Sequence, residues 1–206
     1  MFEVILVEDK LPLPYHHMKM DPSTQEITVD PQVLCDIITH KYNDTVLPNY
    51  GLLIDLFDIV KAYECKSLPD IPVAYVRCVF RYIVFNPPIG SVWTAKISGT
   101  NEDGISLQMS FFNDIWIPWA NLPENTEYEA KTNTWRFIPN PDDDEDAEEA
   151  EYYFSEGLIV KFRVCEVKYN PDEKAGQLMV ISGSMSTNGL GPIAWWQPDE
   201  PAEAAE

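Results

Sequence analysis

The chain has 206 residues, room for one large domain or two small ones, and its 45% apolar and 12% aromatic content is that of a folded protein rather than a disordered one. A formal net charge of −20 repels phosphate backbones at long range, which excludes non-specific nucleic-acid binding over the whole surface and leaves only local contacts. No apolar run approaches the roughly 20 residues that span a bilayer, and the acidic start MFEVILVEDKLPLP lacks the cleavage site of a secretory signal, so no membrane association is expected.

Phe2 to Val7 reads as a strand, stopped by Leu11-Pro12-Leu13-Pro14. Residues 15–28 are weakly patterned. Asp30-Pro31 is a strong helix start, an N-cap followed by proline in the first turn. Val33, Leu34, Ile37 and Ile38 then share one face, which predicts an amphipathic helix over about 31–42, ended by Asn43-Asp44-Thr45. Gly51 to Val60 is apolar enough for a strand covered on both faces except near Asp55 and Asp58. Residues 61–72, with Pro69 and Pro72, read as a loop. Residues 75–85 alternate, with Arg77 and Arg81 on one face. These elements make a small α+β unit that must lean on something to bury enough surface.

Asn86-Pro87-Pro88-Ile89-Gly90 breaks the pattern and reads as a stiff joint between two domains. Short strands follow at Ser91–Ser98, at Ile105–Phe111 with strict period two, and at Ile115–Ile117, with turns at 99–104 and at Asn113-Asp114. Residues 121–133 look like loop. Thr134–Ile138 is a strand carrying Trp135 and Arg136. Eight acids fall within the ten residues Asp142 to Glu151, a low-complexity insertion spanning 140–152. Leu158–Val167 alternates again, with Val160, Phe162 and Val164 on one face and Lys161 and Arg163 on the other. Leu178–Ser182 is the last strand, and the acidic tail 197–206 is expected to be disordered. Five short strands at these intervals suit an OB-type barrel, whose closure removes exposed edges.

The sequence contains no GxGxxG, GxxxxGK[ST], GxSxG or HExxH, so neither a catalytic residue nor a cofactor is expected, and no small-molecule substrate. Cys35, Cys65, Cys78 and Cys165 form no CxxC pair and are not spaced with His16, His17 or His40. Reduced core thiols are expected, and no metal site.

Four stretches then carry a resemblance: GLLIDLFDI at 51–59, VRCVF with VFNP at 76–87, FFNDIWIP at 111–118, and SGS through GLG to Trp195-Trp196 at 182–196. Together they resemble the larger stalk subunit of archaeal and eukaryotic nuclear RNA polymerases, with the polymerase III member most similar. The resemblance implies a tip domain at 1–85, truncated RNP-like, then an S1-type OB barrel at 86–196. It implies a nuclear, non-catalytic subunit that pairs with a smaller helical stalk subunit and docks on the RNA polymerase III core. It further implies contact with transcription initiation factors and nascent RNA during synthesis of transfer RNA, 5S ribosomal RNA and other small RNAs.

Candidate residues follow. Phe112 and Trp116 flank a turn where OB barrels present stacking platforms, and Lys96, Arg136, Lys161 and Arg163 are the barrel-strand cations available to phosphates. Phe57, Asp58 and Ile59 are candidates for docking on the polymerase core. Neighbours on an extended chain point opposite ways, so one of Trp195 and Trp196 is expected to pack inward and the other to meet the partner. A free-standing RNA-binding OB protein is the competing expectation.

Overall fold

The computed structural model describes residues 2–20, 27–67, 73–139, 152–169 and 179–196. The acidic run at 142–151 and the tail at 197–206 lie outside the described residues. The chain divides into two units, Met1–Asn86 and Pro87–Glu206.

The first unit is an antiparallel sheet with a helix on one face. Strand β1 (Phe2–Pro14) is followed by a 3-10 turn at Tyr15–His17 and a small hairpin of β2 (Met18–Met20) and β3 (Ile27–Val29). Helix α1 (Pro31–Tyr42) leads to β4 (Val46–Leu47), β5 (Gly51–Ser67) and β6 (Val73–Phe85), and the sheet order is β1-β6-β5-β4. The helix starts as its sequence predicts, with the Asp30 carboxylate accepting from the Gln32 N–H at 3.0 Å and Pro31 in the first turn. Leu34 and Ile38 of α1 close over Leu11, Leu13, Leu53, Val76, Cys78, Phe80, Tyr82 and Val84. At the edge of this core Asp9 takes hydrogen bonds from Lys41 at 2.5 Å and from the Tyr42 hydroxyl at 2.7 Å. Burial works against its charge, but these bonds hold the Asp9 carboxyl below the usual carboxylate range. Tyr82 is pushed up to about 12 by burial and by the nearby charges of Asp55 and Asp44.

Three expectations change here. Strand β1 does not stop at Leu11 but runs through Pro12 and Pro14, because β1 is the sheet edge, where a residue without an N–H can stand with that side unpaired. Residues 61–67 are strand rather than loop. Strand β5 is not covered on both faces. Its pairing with β6 slips between Leu53 and Asp55, Leu56 and Asp58, and Ile59 and Lys61, so an extra residue enters every third position. The inward side chains are therefore Leu53, Leu56 and Ile59, three apart. The unpaired bulge residues Phe57 and Val60 are left 53% and 55% exposed.

The second unit is a closed barrel. Strands β7 (Val92–Asn101), β8 (Gly104–Gln108) and β9 (Ile115–Pro118) form a meander. After an insertion, β13 (Ile159–Tyr169) pairs with β7, and β14 (Met179–Ser184) pairs antiparallel with β13 and parallel with β9. The five strands thus close in the order β7-β8-β9-β14-β13, the OB arrangement. The interior holds Ala95, Ile97, Ile105, Leu107, Ile115, Ile117, Val160, Phe162, Val164 and Ile181. Gly183 of β14 leaves the room that its neighbours fill, since a Cβ there would stand 2.6 Å from Ile117 and 2.7 Å from Phe162. The fold class is α+β, as expected.

The segment between β9 and β13 carries, among the described residues, more strand than the loop expected at 121–133. It opens with a 3-10 turn at Trp119–Asn121 and then builds a second sheet from β10 (Thr126–Glu129), β11 (Thr134–Phe137) and β12 (Tyr152–Tyr153). Trp135 fastens this sheet to the barrel by donating its indole N–H to the Asn101 carbonyl at 2.8 Å. Past β14 a short strand, β15 (Gly191–Pro192), pairs with β13, and a 3-10 turn spans Ile193–Trp196. The four cysteines are free, but Cys165 is exposed rather than a core thiol. It sits at a bulge between Val164 and Glu166 that interrupts the inward-outward alternation.

Candidate interaction surfaces

The helix covers one face of the first sheet, and the other face is open. Across three strands the open face reads Leu6, Arg81 and Asp58 in register, with Val4 and Ile83 one step beyond. Arg81 clasps Asp58 through two hydrogen bonds, at 2.7 and 2.5 Å, and its guanidinium carbon lies 4.8 Å from the centre of the Phe57 ring. That guanidinium holds the Asp58 carboxyl below its usual range. Further along, Arg77 pairs with Glu8 and lowers its carboxyl likewise. Leu6 at 67%, Phe57 and Val60 are too exposed and too close to the clasp to be core. Of the three docking candidates, Phe57 and Asp58 therefore stand on the surface, whereas Ile59 packs against the core.

On the barrel, Lys96 of β7 and Lys161 and Arg163 of β13 all point outward. Lys96 stands opposite Ile159, Lys161 opposite Thr94 and Arg163 opposite Val92, so the three cations share one ladder face. Val92 and Ile159 are 48% and 57% exposed among them. None of the three cations forms an ion pair among the described residues. The structure thus brings these three together. Arg136 does not join them. It lies on β11, between Glu127 and Tyr153, in the inserted sheet.

The aromatic candidates divide. Trp116 stays partly exposed on β9, its ring against Gly104. Phe112 is 6% exposed and packs inward, so it offers no face to a base, and its neighbour Phe111 is the exposed ring. The reason is that β8 ends at Gln108. The Met109 N–H then donates to the Phe112 carbonyl at 2.7 Å, and this turn breaks the alternation that would have put Phe112 outside. Trp195 packs inward against Phe137, Tyr152 and Phe154, with ring centres 4.8–5.6 Å apart. The side chain of Trp196 lies outside what the structure describes.

Two family models match the chain in succession. Residues 8–72 match the SHS2 domain found in the N terminus of Rpb7p/Rpc25p/MJ0397, and residues 91–178 match RNA polymerase III subunit Rpc25. The chain belongs to this family of RNA polymerase stalk subunits. Among curated proteins it is 27% identical to DNA-directed RNA polymerase III subunit RPC8 of Bos taurus, over 77% of this chain and 84% of the relative. It is 28% identical to the Schizosaccharomyces pombe subunit, over 81% and 89%, and 25% identical to that of Saccharomyces cerevisiae, over 78% and 86%. In this family member, the surface residues that sequence reasoning missed are Val4, Leu6 and Val60. A signal for the first two was present. Val4, Ile5, Leu6 and Val7 are apolar at both parities, which a strand with one solvated face does not need.

Proposed function

We propose that this chain is the larger stalk subunit of RNA polymerase III, a nuclear accessory subunit without a reaction of its own. The reading rests on one observation above others: the SHS2 and Rpc25 models match in that order along one chain, from residue 8 to residue 178. The relatives that carry the polymerase III name align over most of their length, which supports it further. In this reading residues 1–85 form the tip, and the open sheet face around Leu6, Phe57 and Asp58 meets the polymerase core and a smaller helical subunit. Residues 86–196 form the barrel, whose Lys96, Lys161 and Arg163 face lies along nascent RNA. The assembly serves initiation, through contact with initiation factors, at genes for transfer RNA, 5S ribosomal RNA and other small RNAs.

An affinity-tagged chain recovered from nuclear extract tests the assignment. The catalytic subunits of RNA polymerase III and one small helical subunit are expected in stoichiometric amounts. Recovery with polymerase I or II subunits, or with none, refutes it.

The RNA face has its own test in the assembled stalk. Each phosphate contact on a single strand contributes about 0.7 to the slope of log affinity against log salt. Lys161→Ala with Arg163→Ala is expected to weaken binding of single-stranded RNA and to reduce that slope by about 1.4. An unchanged slope removes β13 from the contact.

A further inference from the structure

Four of the seven Lys and Arg residues between positions 1 and 82 converge on one cleft of about 840 Å³ at the far end of the open sheet face. They are Lys10, Lys61, Lys66 and Arg77, and Tyr63 and Tyr75 line the cleft with them. This concentration sits in a chain of net charge −20, so it is no by-product of a basic composition. Lys10 and Arg77 stand directly opposite each other on β1 and β6, a like-charge pairing that destabilises a sheet unless an anion answers it. Glu8 answers Arg77 alone. Among the described residues Lys10, Lys61 and Lys66 form no ion pair, and Glu64 is the one carboxylate in the lining.

We infer that this cleft binds an acidic, aromatic-bearing peptide segment of a partner protein, its carboxylates on Lys10, Lys61 and Lys66 and its apolar side chains against Tyr63 and Tyr75. Three observations favour a peptide over a nucleic acid. The Tyr63 ring already carries Lys61 at 4.5 Å and Arg77 at 4.9 Å, which makes it a poor platform for base stacking. The field of the whole chain opposes a polyphosphate in proportion to its charge, and opposes a short acidic peptide less. Half-exposed tyrosines with an arginine held over one of them are the composition of protein interfaces. The inference does not depend on which assembly the chain joins.

Fluorescence anisotropy on the full chain tests it. The probes are a labelled 12-residue peptide with four Asp or Glu and two Phe among Gly and Ser, and a labelled 12-nucleotide oligouridylate. The peptide is expected to bind, and Lys10→Ala with Lys61→Ala and Lys66→Ala to raise its Kd about tenfold or more, since three exposed ion pairs are lost together. Replacing the same three with Arg keeps binding, and Lys161→Ala with Arg163→Ala leaves it unchanged. Lys66→Glu, a single exposed change, serves if the triple variant does not fold. Absence of peptide binding, or equal affinity in the cleft variants, overturns the inference. So does oligouridylate binding that is lost in the cleft variants, which assigns the cleft to nucleic acid instead.

Discussion

Gly104→Ala is expected to lower the stability of the barrel by about 2–4 kcal/mol, read as a fall in its urea midpoint at unchanged slope. Gly104 opens β8 with φ +154, and a Cβ on it would stand 2.1 Å from the Ile117 carbonyl oxygen and 2.9 Å from the Trp116 ring. Neither neighbour can give cheaply. The Ile117 carbonyl belongs to β9, which pairs with β8 from Gly104 onward, and the turn before it is held by two N–H bonds to the Asn101 side chain, at 2.9 and 3.0 Å. Gly90→Ala is the control. Its φ of +84 carries the same kind of backbone strain, but nothing lies within 4 Å of the added methyl, so it should cost only about 1 kcal/mol. The difference between the two variants isolates the steric contact. Equal midpoints mean that the β8–β9 corner yields. Because the Trp116 ring leans on Gly104, the Trp116 indole N–H resonance should move in Gly104→Ala and stay put in Gly90→Ala.

The parts of this fold that were legible in the sequence are those where local chemistry and tertiary packing agree. Asp30-Pro31 fixes a helix start whatever packs on it. The alternation along 75–85 and 158–164 survives because β6 and the first half of β13 are regular strands with one face in a core. Where the backbone breaks its own period, the reading failed. In β5 a bulge at every third step turns a two-residue period into a three-residue one, so Phe57 stands on the surface while Ile59, a docking candidate beside it, packs against the core. After Gln108 a turn exchanges the parity of Phe111 and Phe112, so Phe112, the stacking candidate, is buried and Phe111 is exposed. The TEYE segment at 126–129 carries no apolar alternation, and its pairing to β11 comes from contacts remote in sequence. Of the candidate RNA residues, Lys161 and Arg163 were recognisable as a pair because they lie two apart on one strand. Lys96 joins them only through the β7–β13 ladder, which no local pattern announces.

The largest effect on assembly should come from Leu6→Glu combined with Phe57→Glu. Both side chains are more than half exposed, at 67% and 53%, so neither supports the core, and the double variant should stay folded. They flank the Arg81–Asp58 clasp, which fixes the one guanidinium between them and gives the patch a rigid polar centre inside an apolar surround. Truncating a well-packed interface anchor costs about 2 kcal/mol or more, and an exposed aromatic ring beside a fixed guanidinium, as Phe57 and Arg81 are, has the composition of such an anchor. Placing two carboxylates there forfeits the apolar burial and adds unpaired charge to be desolvated, so association should weaken by at least about a hundredfold. The measurement is recovery of the proposed small helical subunit and polymerase core with the tagged variant, against Asp58→Lys as a second probe of the same centre. Loss in the double variant, with an unchanged circular dichroism spectrum, places the partner on the open face of the first sheet. Stoichiometric recovery with both changes in place moves the interface elsewhere, and the exposed Leu6 and Phe57 would then need another occupant.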